Sequence, residues 1–173
     1  MEPLIFQKTD GGKLEIGLKA LTKMLRYRQK SESRKEAGGV LMGRYIRDCL
    51  DVVIDDVTTP MSKDRRTRFS FFRNQEQHQQ ILDNVWQASL GTTHYLGEWH
   101  THPEAVPTPS PADLADWQKH LCSDIFSGST LFFIIVGIES LQTWECHRQS
   151  YSKTSKIESL CKMLTLQSSQ HSK

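Results

Sequence analysis

Apolar positions along the chain follow two periods, one typical of strands and one typical of helices. Near the amino terminus, LIFQK and KLEIGL are short β-type segments on either side of Asp10-Gly11-Gly12. These three residues supply the positive φ angles that a tight turn needs. The chain is therefore predicted to begin with a β-hairpin.

Six later segments predict further strands from their apolar and β-branched residues. They are residues 38–46, 50–59, 69–72, 94–99, 130–138 and 141–148. The first two are predicted to be neighbours that turn near Arg47-Asp48. The fifth, TLFFIIVGI, is continuously apolar, as expected of a central strand buried on both faces, and the sixth alternates as its half-exposed partner.

Three segments have apolar residues at helical spacing. They predict helices over residues 18–25, 74–90 and 113–125, with Gly91 at the C-terminal stop of the second helix. The third helix is expected to pack through four apolar residues. These are Leu114, Trp117, Leu121 and Ile125.

The elements predict one α+β domain over residues 1–150 and a C-terminal tail over residues 151–173. The tail is rich in Ser, Lys and Gln, and a few of its apolar residues suggest a short docking helix. These residues are Ile157, Leu160, Cys161, Met163 and Leu164. No internal repeat and no second domain are evident.

Composition places the chain among ordinary soluble globular proteins. It has 173 residues, of which 37% are hydrophobic and 24% charged, and a formal net charge of +2. This balance gives no general reason to bind nucleic acid or a membrane. The amino terminus lacks signal-peptide features, and the longest apolar run, Leu131 to Ile138, is too short to cross a bilayer. We therefore expect a cytoplasmic protein without nucleic-acid or membrane partners.

The cysteines and the densest basic run are not predicted to form functional sites. The four cysteines, Cys49, Cys122, Cys146 and Cys161, form no CxxC pair, so a cysteine-ligated metal or a redox motif is not expected. They are predicted to be reduced, partly buried thiols. The basic run from Lys63 to Arg68 could bind an acidic partner, but a solvated loop is the favoured interpretation.

The segment GEWHTHPEAVPTPSPADLADW carries the candidate chemistry. His100 and His102 leave an extended backbone on the same face, where two neutral imidazoles can share a metal ion. Asp113 is the first well-placed carboxylate after the proline-rich loop. Two histidines and one carboxylate leave a fourth tetrahedral position for water, which is typical of a catalytic zinc.

Other interpretations of these residues remain open at this point. Ser110-Pro111-Ala112-Asp113 is also a good helix start, with a serine N-cap, so Asp113 could simply cap its helix. The histidine pair could consist of ordinary turn residues beside Pro103.

Two acids flank the histidine pair, and Trp99 and His78 precede it in the sequence. Glu98 and Glu104 are interpreted as acids next to the site or at its rim, with Glu98 favoured to touch it. Trp99 is predicted to lie in the core and His78 at a helix surface or core edge.

The joint pattern of HTHP followed by S-x-x-D resembles the JAMM signature of the JAB1/MPN/Mov34 metalloprotease family. The interval from His102 to Asp113 has the length of that motif. EAGGVLMG, residues 36–43, is similar to the glutamate element of the family. The resemblance extends from the first helix to about Arg148.

This resemblance implies a curved mixed sheet flanked by helices, the JAB1/MPN-like (cytidine-deaminase-like) form of the α+β class. It further implies that His100, His102 and Asp113 hold Zn²⁺. On the same basis Glu36 is the general acid/base, and Ser110 helps to stabilise the oxyanion. The family hydrolyses bonds that join the C-terminus of a ubiquitin-like protein to an amine.

GEWHTHPEAVPTPSPAD also resembles the prokaryotic branch associated with CBASS antiphage operons. That resemblance implies a zinc isopeptidase that detaches the C-terminus of a CD-NTase-type cyclase from its target. Trimming of a sulfur-carrier precursor is an alternative activity. A metal-free MPN scaffold is a second alternative, and a eukaryotic-type deubiquitinase would usually need insertions for which this chain lacks room.

Overall fold

The computed structural model describes residues 1–148 and 157–167 of the chain. Its strands are β1 (Leu4–Gln7), β2 (Lys13–Ile16), β3 (Gly38–Tyr45), β4 (Val52–Val57), β5 (Arg65–Arg66), β6 (Phe71–Phe72), β7 (His94–Thr101), β8 (Thr130–Val136), β9 (Leu141–His147), β10 (Cys161–Met163) and β11 (Thr165–Leu166). Its helices are α1 (Leu18–Leu25), α2 (Gln75–Ala88), α3 (Pro111–Ser123) and α4 (Ile157–Leu160). None of the helices in this part of the chain is both long and apolar enough to span a membrane.

Nine strands form one mixed sheet in the order β10-β9-β8-β7-β3-β4-β2-β1-β11. The pairs β2–β4 and β7–β8 are parallel, and the other neighbours are antiparallel. This curved sheet flanked by helices confirms the predicted α+β fold class.

The sheet separates two hydrophobic cores, and β8 contributes to both. Phe132 and Ile134 pack into the core shared with α1, whereas Phe133 and Ile135 pack into the core shared with α3. Each of these four side chains is at most 1% exposed. A strand buried on both faces needs apolar residues at every position, which explains the continuous run in the sequence.

The predicted helices occur, with differences in how they pack. α1 covers the predicted residues. α2 begins after Asn74, whose side chain accepts a hydrogen bond from the Gln77 backbone, but Ile81 and Trp86 remain exposed. The expectation that Ile125 packs with α3 is wrong, since its side chain is 98% exposed. The chain is extended at Asp124, so the last turn of the helix ends before Ile125.

The FSFF segment and the basic run before it form a separate hairpin. Only Phe71–Phe72 is a strand, and it pairs with Arg65–Arg66 rather than with the main sheet. The basic run is therefore not simply a solvated loop, because its centre is β5.

The described part of the C-terminal segment contributes a strand to each edge of the main sheet. The predicted short helix is limited to Ile157–Leu160, and strands follow it. β10 pairs with β9 and β11 pairs with β1, with Leu164 between them in the core. The predicted boundary between residues 150 and 151 lies outside the described residues.

The cysteines differ from the sequence-based expectation. Cys146 and Cys161 form a disulfide, so the prediction of four reduced thiols is wrong. The β9–β10 register places these two residues directly opposite each other, a juxtaposition that a separation of 15 residues does not reveal. Cys49 and Cys122 are free, but both are exposed rather than partly buried.

Candidate metal centre

The histidine pair lies at the end of β7, a central strand of the sheet. His100 is within the strand, and His102 follows its last residue, Thr101. β7 lies between antiparallel β3 and parallel β8, so its backbone is fixed on both sides. The Nε2 atoms of His100 and His102 lie 3.0 Å apart. Trp99 points into the opposite core at 1% exposure and donates from Nε1 to the Thr58 carbonyl at 2.9 Å. This confirms that Trp99 is a core residue and that the two imidazoles share one face.

The start of α3 brings Asp113 to the same place. Ser110 and Asp113 form a capping box, in which the Ser110 hydroxyl accepts from the Asp113 backbone N–H at 3.2 Å. In return, one Asp113 oxygen, Oδ2, accepts from the Ser110 backbone N–H at 2.6 Å. Asp113 Oδ1 lies 3.3 Å from Nε2 of His100, and Oδ2 lies 3.4 Å from Nε2 of His102. The cap therefore aims the carboxylate at both histidines.

Charge interactions favour an ionised Asp113. Burial alone would raise the pKa of its carboxyl, but hydrogen bonds with His100 and His102 hold that pKa well below its ordinary value. Burial would lower the pKa of His102, yet the hydrogen bond to Asp113 raises it. The site thus presents an anionic carboxylate beside two imidazoles.

Glu36 completes the group from the segment that precedes β3. One of its carboxylate oxygens lies within 4.8 Å of ring nitrogens of both histidines. The residue is 5% exposed. Burial raises the pKa of the Glu36 carboxyl to about 7, although the neighbouring histidines oppose the shift. A group with that pKa can both accept and release a proton near neutral pH.

The β5–β6 hairpin fixes the backbone of Glu36. Its N–H donates to the Thr67 carbonyl at 2.7 Å, and its carbonyl accepts from Nε of Arg66 at 2.6 Å. Gly38 follows two residues later, where a Cβ would lie 2.6 Å from both the Trp99 carbonyl oxygen and the Phe71 ring. Glycine at position 38 is therefore required by the close approach of three segments.

The donor set fits a tetrahedral zinc ion. Ligand atoms about 2.0–2.1 Å from such an ion lie roughly 3.3 Å from one another. The separations among His100, His102 and Asp113 are 3.0, 3.3 and 3.4 Å. The two carboxylate distances belong to different oxygens, Oδ1 towards His100 and Oδ2 towards His102. Two nitrogens and one of these oxygens bound to the ion would leave one tetrahedral position for water.

Glu98 and Glu104 differ from expectation in which of them lies beside the histidines. Glu98 forms a hydrogen-bonded ion pair with Arg73 and lies 3.4 Å from His120 Nε2. Glu104 is the acid beside the histidines, with Oε2 3.9 Å from His102 Nδ1. The prediction that Glu98 rather than Glu104 touches the site is therefore wrong. The alternation of side chains along a strand predicts on which face Glu98 lies, but it does not predict that Arg73 binds its carboxylate.

His78 is also buried more deeply than expected. It is fully buried, with Nδ1 2.6 Å from the Thr58 hydroxyl and Nε2 3.1 Å from Asp64. The expectation of a surface or core-edge residue is wrong, but the expectation that it is no ligand of this site agrees with these contacts.

Several residues that support the site were not predicted from the sequence. They are Gln29, Arg66, Arg73, Thr101 and His120. The spacing of His120, seven residues after Asp113, places it on the same helix face and could have drawn attention to it. Gln29 and Arg73 come from distant segments and have no such signal.

A curved α+β sheet that gathers two histidines and two acids at the end of one strand defines a metallohydrolase domain of the JAMM type. Residues 18–147 match the family of prokaryotic homologs of the JAB domain, and the chain belongs to this family.

Similar proteins agree with this assignment. A protein of Vibrio cholerae named CD-NTase/cGAS isopeptidase is 35% identical over 80% of this chain and 85% of its own length. A Pseudomonas aeruginosa protein of the same name is 42% identical over 53% of this chain and 56% of its own length. The solution structure of a Desulfitobacterium hafniense protein, 20% identical, shares the fold with a TM-score of 0.53. That match covers 77% of this chain and 84% of the other.

Proposed function

We propose that this protein is a cytoplasmic zinc isopeptidase that detaches a C-terminally conjugated CD-NTase-type cyclase from its targets in CBASS antiphage defence. Relatives named CD-NTase/cGAS isopeptidase support the substrate class, including one from Escherichia coli that is 33% identical over 79% of this chain. The observation that carries the proposal is the convergence of His100, His102 and Asp113 beside a buried Glu36.

His100, His102 and Asp113 would hold the ion, and Glu36 would move protons. When bound, zinc lowers the pKa of its water to about 7 and polarises the scissile carbonyl. Glu36 accepts the proton of the attacking water and delivers it to the leaving amine. Its raised pKa, about 7, suits both transfers. This assignment makes Glu36 the general acid/base of amide hydrolysis.

Ser110 would assist at the carbonyl oxygen. Its hydroxyl lies 2.6 Å from Asp113 Oδ2, so it stands directly beside the proposed ligands. A hydroxyl that donates to the developing oxyanion stabilises the transition state. Ser110 would have to redirect this donor from Asp113 to the substrate, while its oxygen continues to cap α3.

Selectivity would come from binding an extended peptide tail as an added strand. The β5–β6 hairpin adjoins Glu36, and within the described residues its two strands pair only with each other. Main-chain hydrogen bonds along its free edge would orient a tail of suitable sequence. Phe69 and Phe72 are 75% and 57% exposed there and provide apolar contacts.

The test uses a fusion of the cyclase C-terminus to an unrelated reporter. We expect one cut, directly after the terminal residue of the cyclase, and inhibition by a chelator. The masses of both products determine the cleavage position. Cuts at scattered internal sites would contradict the proposal and indicate a general protease.

Two other outcomes correspond to the alternative functions. Efficient trimming of a sulfur-carrier precursor, with no cleavage of the fusion, would favour the carrier-processing activity. A protein that binds no zinc and cleaves neither substrate would favour the scaffold. The scaffold is disfavoured here because scaffolds of this family lack a ligand, whereas His100, His102 and Asp113 all face one point.

A further inference from the structure

Gln29 is a buried polar residue in the loop after α1, with 1% of its surface exposed. Its amide nitrogen donates to the carbonyl oxygens of Arg34 at 3.2 Å and Arg68 at 2.7 Å. Its amide oxygen accepts from the Thr101 hydroxyl at 3.0 Å. Both amide donors and the acceptor are therefore used, which fixes the orientation of the side chain.

The three partners of Gln29 lie on the segments that surround Glu36. Arg34 precedes Glu36 by two residues on its own loop. Arg68 adjoins Thr67, whose carbonyl accepts the Glu36 N–H at 2.7 Å. Thr101 exchanges two hydrogen bonds with Ala37, from the Ala37 N–H to the hydroxyl at 3.0 Å and from the Thr101 N–H to the Ala37 carbonyl at 2.8 Å.

Glu36 lies before the first residue of β3, so its backbone is held by the β5–β6 hairpin and not by pairing in the main sheet. We propose that Gln29 is a positioning residue, which ties the Glu36 loop to the hairpin and to the strand that bears the histidines. The carboxylate is thereby held in reach of both imidazoles. This inference rests on the proposed function, in which Glu36 is the proton carrier.

Loss of Gln29 would leave two carbonyls and a hydroxyl without this buried partner, so the loop would move away to find water. A displacement of about 1 Å at a proton-transferring group can lower a rate 10²-fold. The effect should appear in kcat, because Gln29 acts on Glu36. KM is not a discriminating readout, since Gln29 also bonds the Arg68 carbonyl in the hairpin that forms the proposed tail-binding edge.

The experiment compares Gln29→Met with wild type, with Glu36→Ala and with the double variant. Gln29→Met keeps the size of the side chain but loses all three hydrogen bonds. We expect a fall in kcat of roughly 10-fold to 100-fold and one zinc per chain. In the Glu36→Ala background the same substitution should cause no further fall, since it acts through Glu36.

Lys8→Met is the matched control. Lys8, on the β1–β2 turn, is also buried, at 7% exposure. Its amine donates to Asp10 on the same turn at 2.8 Å and to the Leu50 carbonyl on the β3–β4 turn at 2.6 Å. This variant should lose thermal stability without losing kcat. If Gln29→Met behaves like Lys8→Met, or reduces the rate equally with and without Glu36, the inference is overturned.

Two further measurements keep the outcome decisive. If Gln29→Met does not fold, Thr101→Val and Thr101→Ser replace it, and the larger loss of kcat is expected for valine, which lacks the hydroxyl. Equal losses would contradict the inference.

If wild type cleaves no conjugate, the proposed function fails. Crystal structures of wild type and Gln29→Met then test the positioning alone, by whether Glu36 leaves the 4.8 Å range of both histidines.

Discussion

Asp113 can serve both as a helix cap and as a metal ligand because a carboxylate has two oxygens and about four acceptor positions. Oδ2 accepts the Ser110 N–H, while Oδ1 remains directed at His100. The capping interpretation and the ligand interpretation of Ser110-Pro111-Ala112-Asp113 are therefore compatible. The hydrogen bonds of the capping box fix the orientation of the Asp113 carboxylate, as a metal ligand requires.

Replacing His100, His102 or Asp113 with alanine should abolish zinc binding, because each change leaves two of the three proposed protein ligands. Elemental analysis of purified protein should find one zinc per wild-type chain and nearly none in each variant. Glu104→Ala, which changes an acid 3.9 Å from His102, is the control and should retain zinc. Full occupancy in all three ligand variants would refute the assignment.

Glu36→Ala should separate proton transfer from metal binding. We expect zinc content and the folded state to be retained, while kcat for conjugate hydrolysis falls by roughly 10² or more. Turnover at the wild-type rate would exclude Glu36 as the general acid/base. Glu98 is a poor substitute for that role because it already forms an ion pair with Arg73.

At the scale of elements, a polar network ties α3 and α2 to β7 beside the metal centre. His120 on α3 lies 3.2 Å from Asp116, 2.7 Å from Asp124 and 3.4 Å from Glu98 on β7. Arg73, just before α2, binds the same glutamate. The network therefore helps to set the distance between the helix that bears Asp113 and the strand that bears the histidines.

The charge of His120 should make stability depend on pH. Burial would lower its pKa, but hydrogen bonds to Asp116 and Asp124 and the charge of Glu98 raise it to about 10. The folded-state pKa thus exceeds the unfolded value of about 6.5. The contribution is complete below about pH 6.5 and is lost as pH rises towards 10.

Urea unfolding of wild type and His120→Gln between pH 6 and pH 10 tests this. The free-energy difference between them should shrink with rising pH by on the order of 4 kcal/mol, since each tenfold change in proton affinity is worth about 1.4 kcal/mol. Ile125→Ala, a non-titrating change just beyond α3, should show a constant difference from wild type. A constant difference for His120→Gln as well would mean that the histidine is not charged in the folded state.

At the scale of the whole molecule, a short C-terminal segment joins both edges of the main sheet. β10 pairs with β9, and β11 pairs with β1. The Thr9 N–H, just after β1, also donates to Glu145 on β9 at 2.7 Å, which links the same two edges directly. Ile157 and Leu160 pack into the core that includes Trp117 of α3. The described part of the tail therefore contributes to the cores on both faces of the sheet.

Reduction of the Cys146–Cys161 disulfide should destabilise the protein by about 3 kcal/mol, the value for a loop of about 15 residues. This corresponds to a melting temperature lower by roughly 6–12 °C. Cys161→Ser should melt like reduced wild type and should not respond to reductant. Cys49→Ser and Cys122→Ser, at exposed free thiols, should leave the melting temperature unchanged.

A thiol count provides the independent check. Denatured, unreduced protein should show two free thiols, and reduced protein all four. Four thiols before reduction would contradict the disulfide and would indicate that the cysteines stay reduced, as in a reducing compartment.

The sequence by itself determined the elements whose signals are local. The continuous apolar run of β8, the turn at Asp10-Gly11-Gly12 and the capping box of α3 each depend on neighbouring residues. The HxH spacing likewise placed both imidazoles on one face, since side chains alternate along a strand. Together with the family resemblance, these signals identified the residues that converge at the site.

Only the tertiary structure decided which distant groups meet. The binding of Glu98 by Arg73, the pairing of Cys146 with Cys161 and the burial of Gln29 depend on strand register and loop packing. The exposure of Ile125 depends on where a helix ends. Such contacts link residues that are far apart in the chain, and their energies arise from burial and pairing that exist only after folding. Local periodicity contains no information about them.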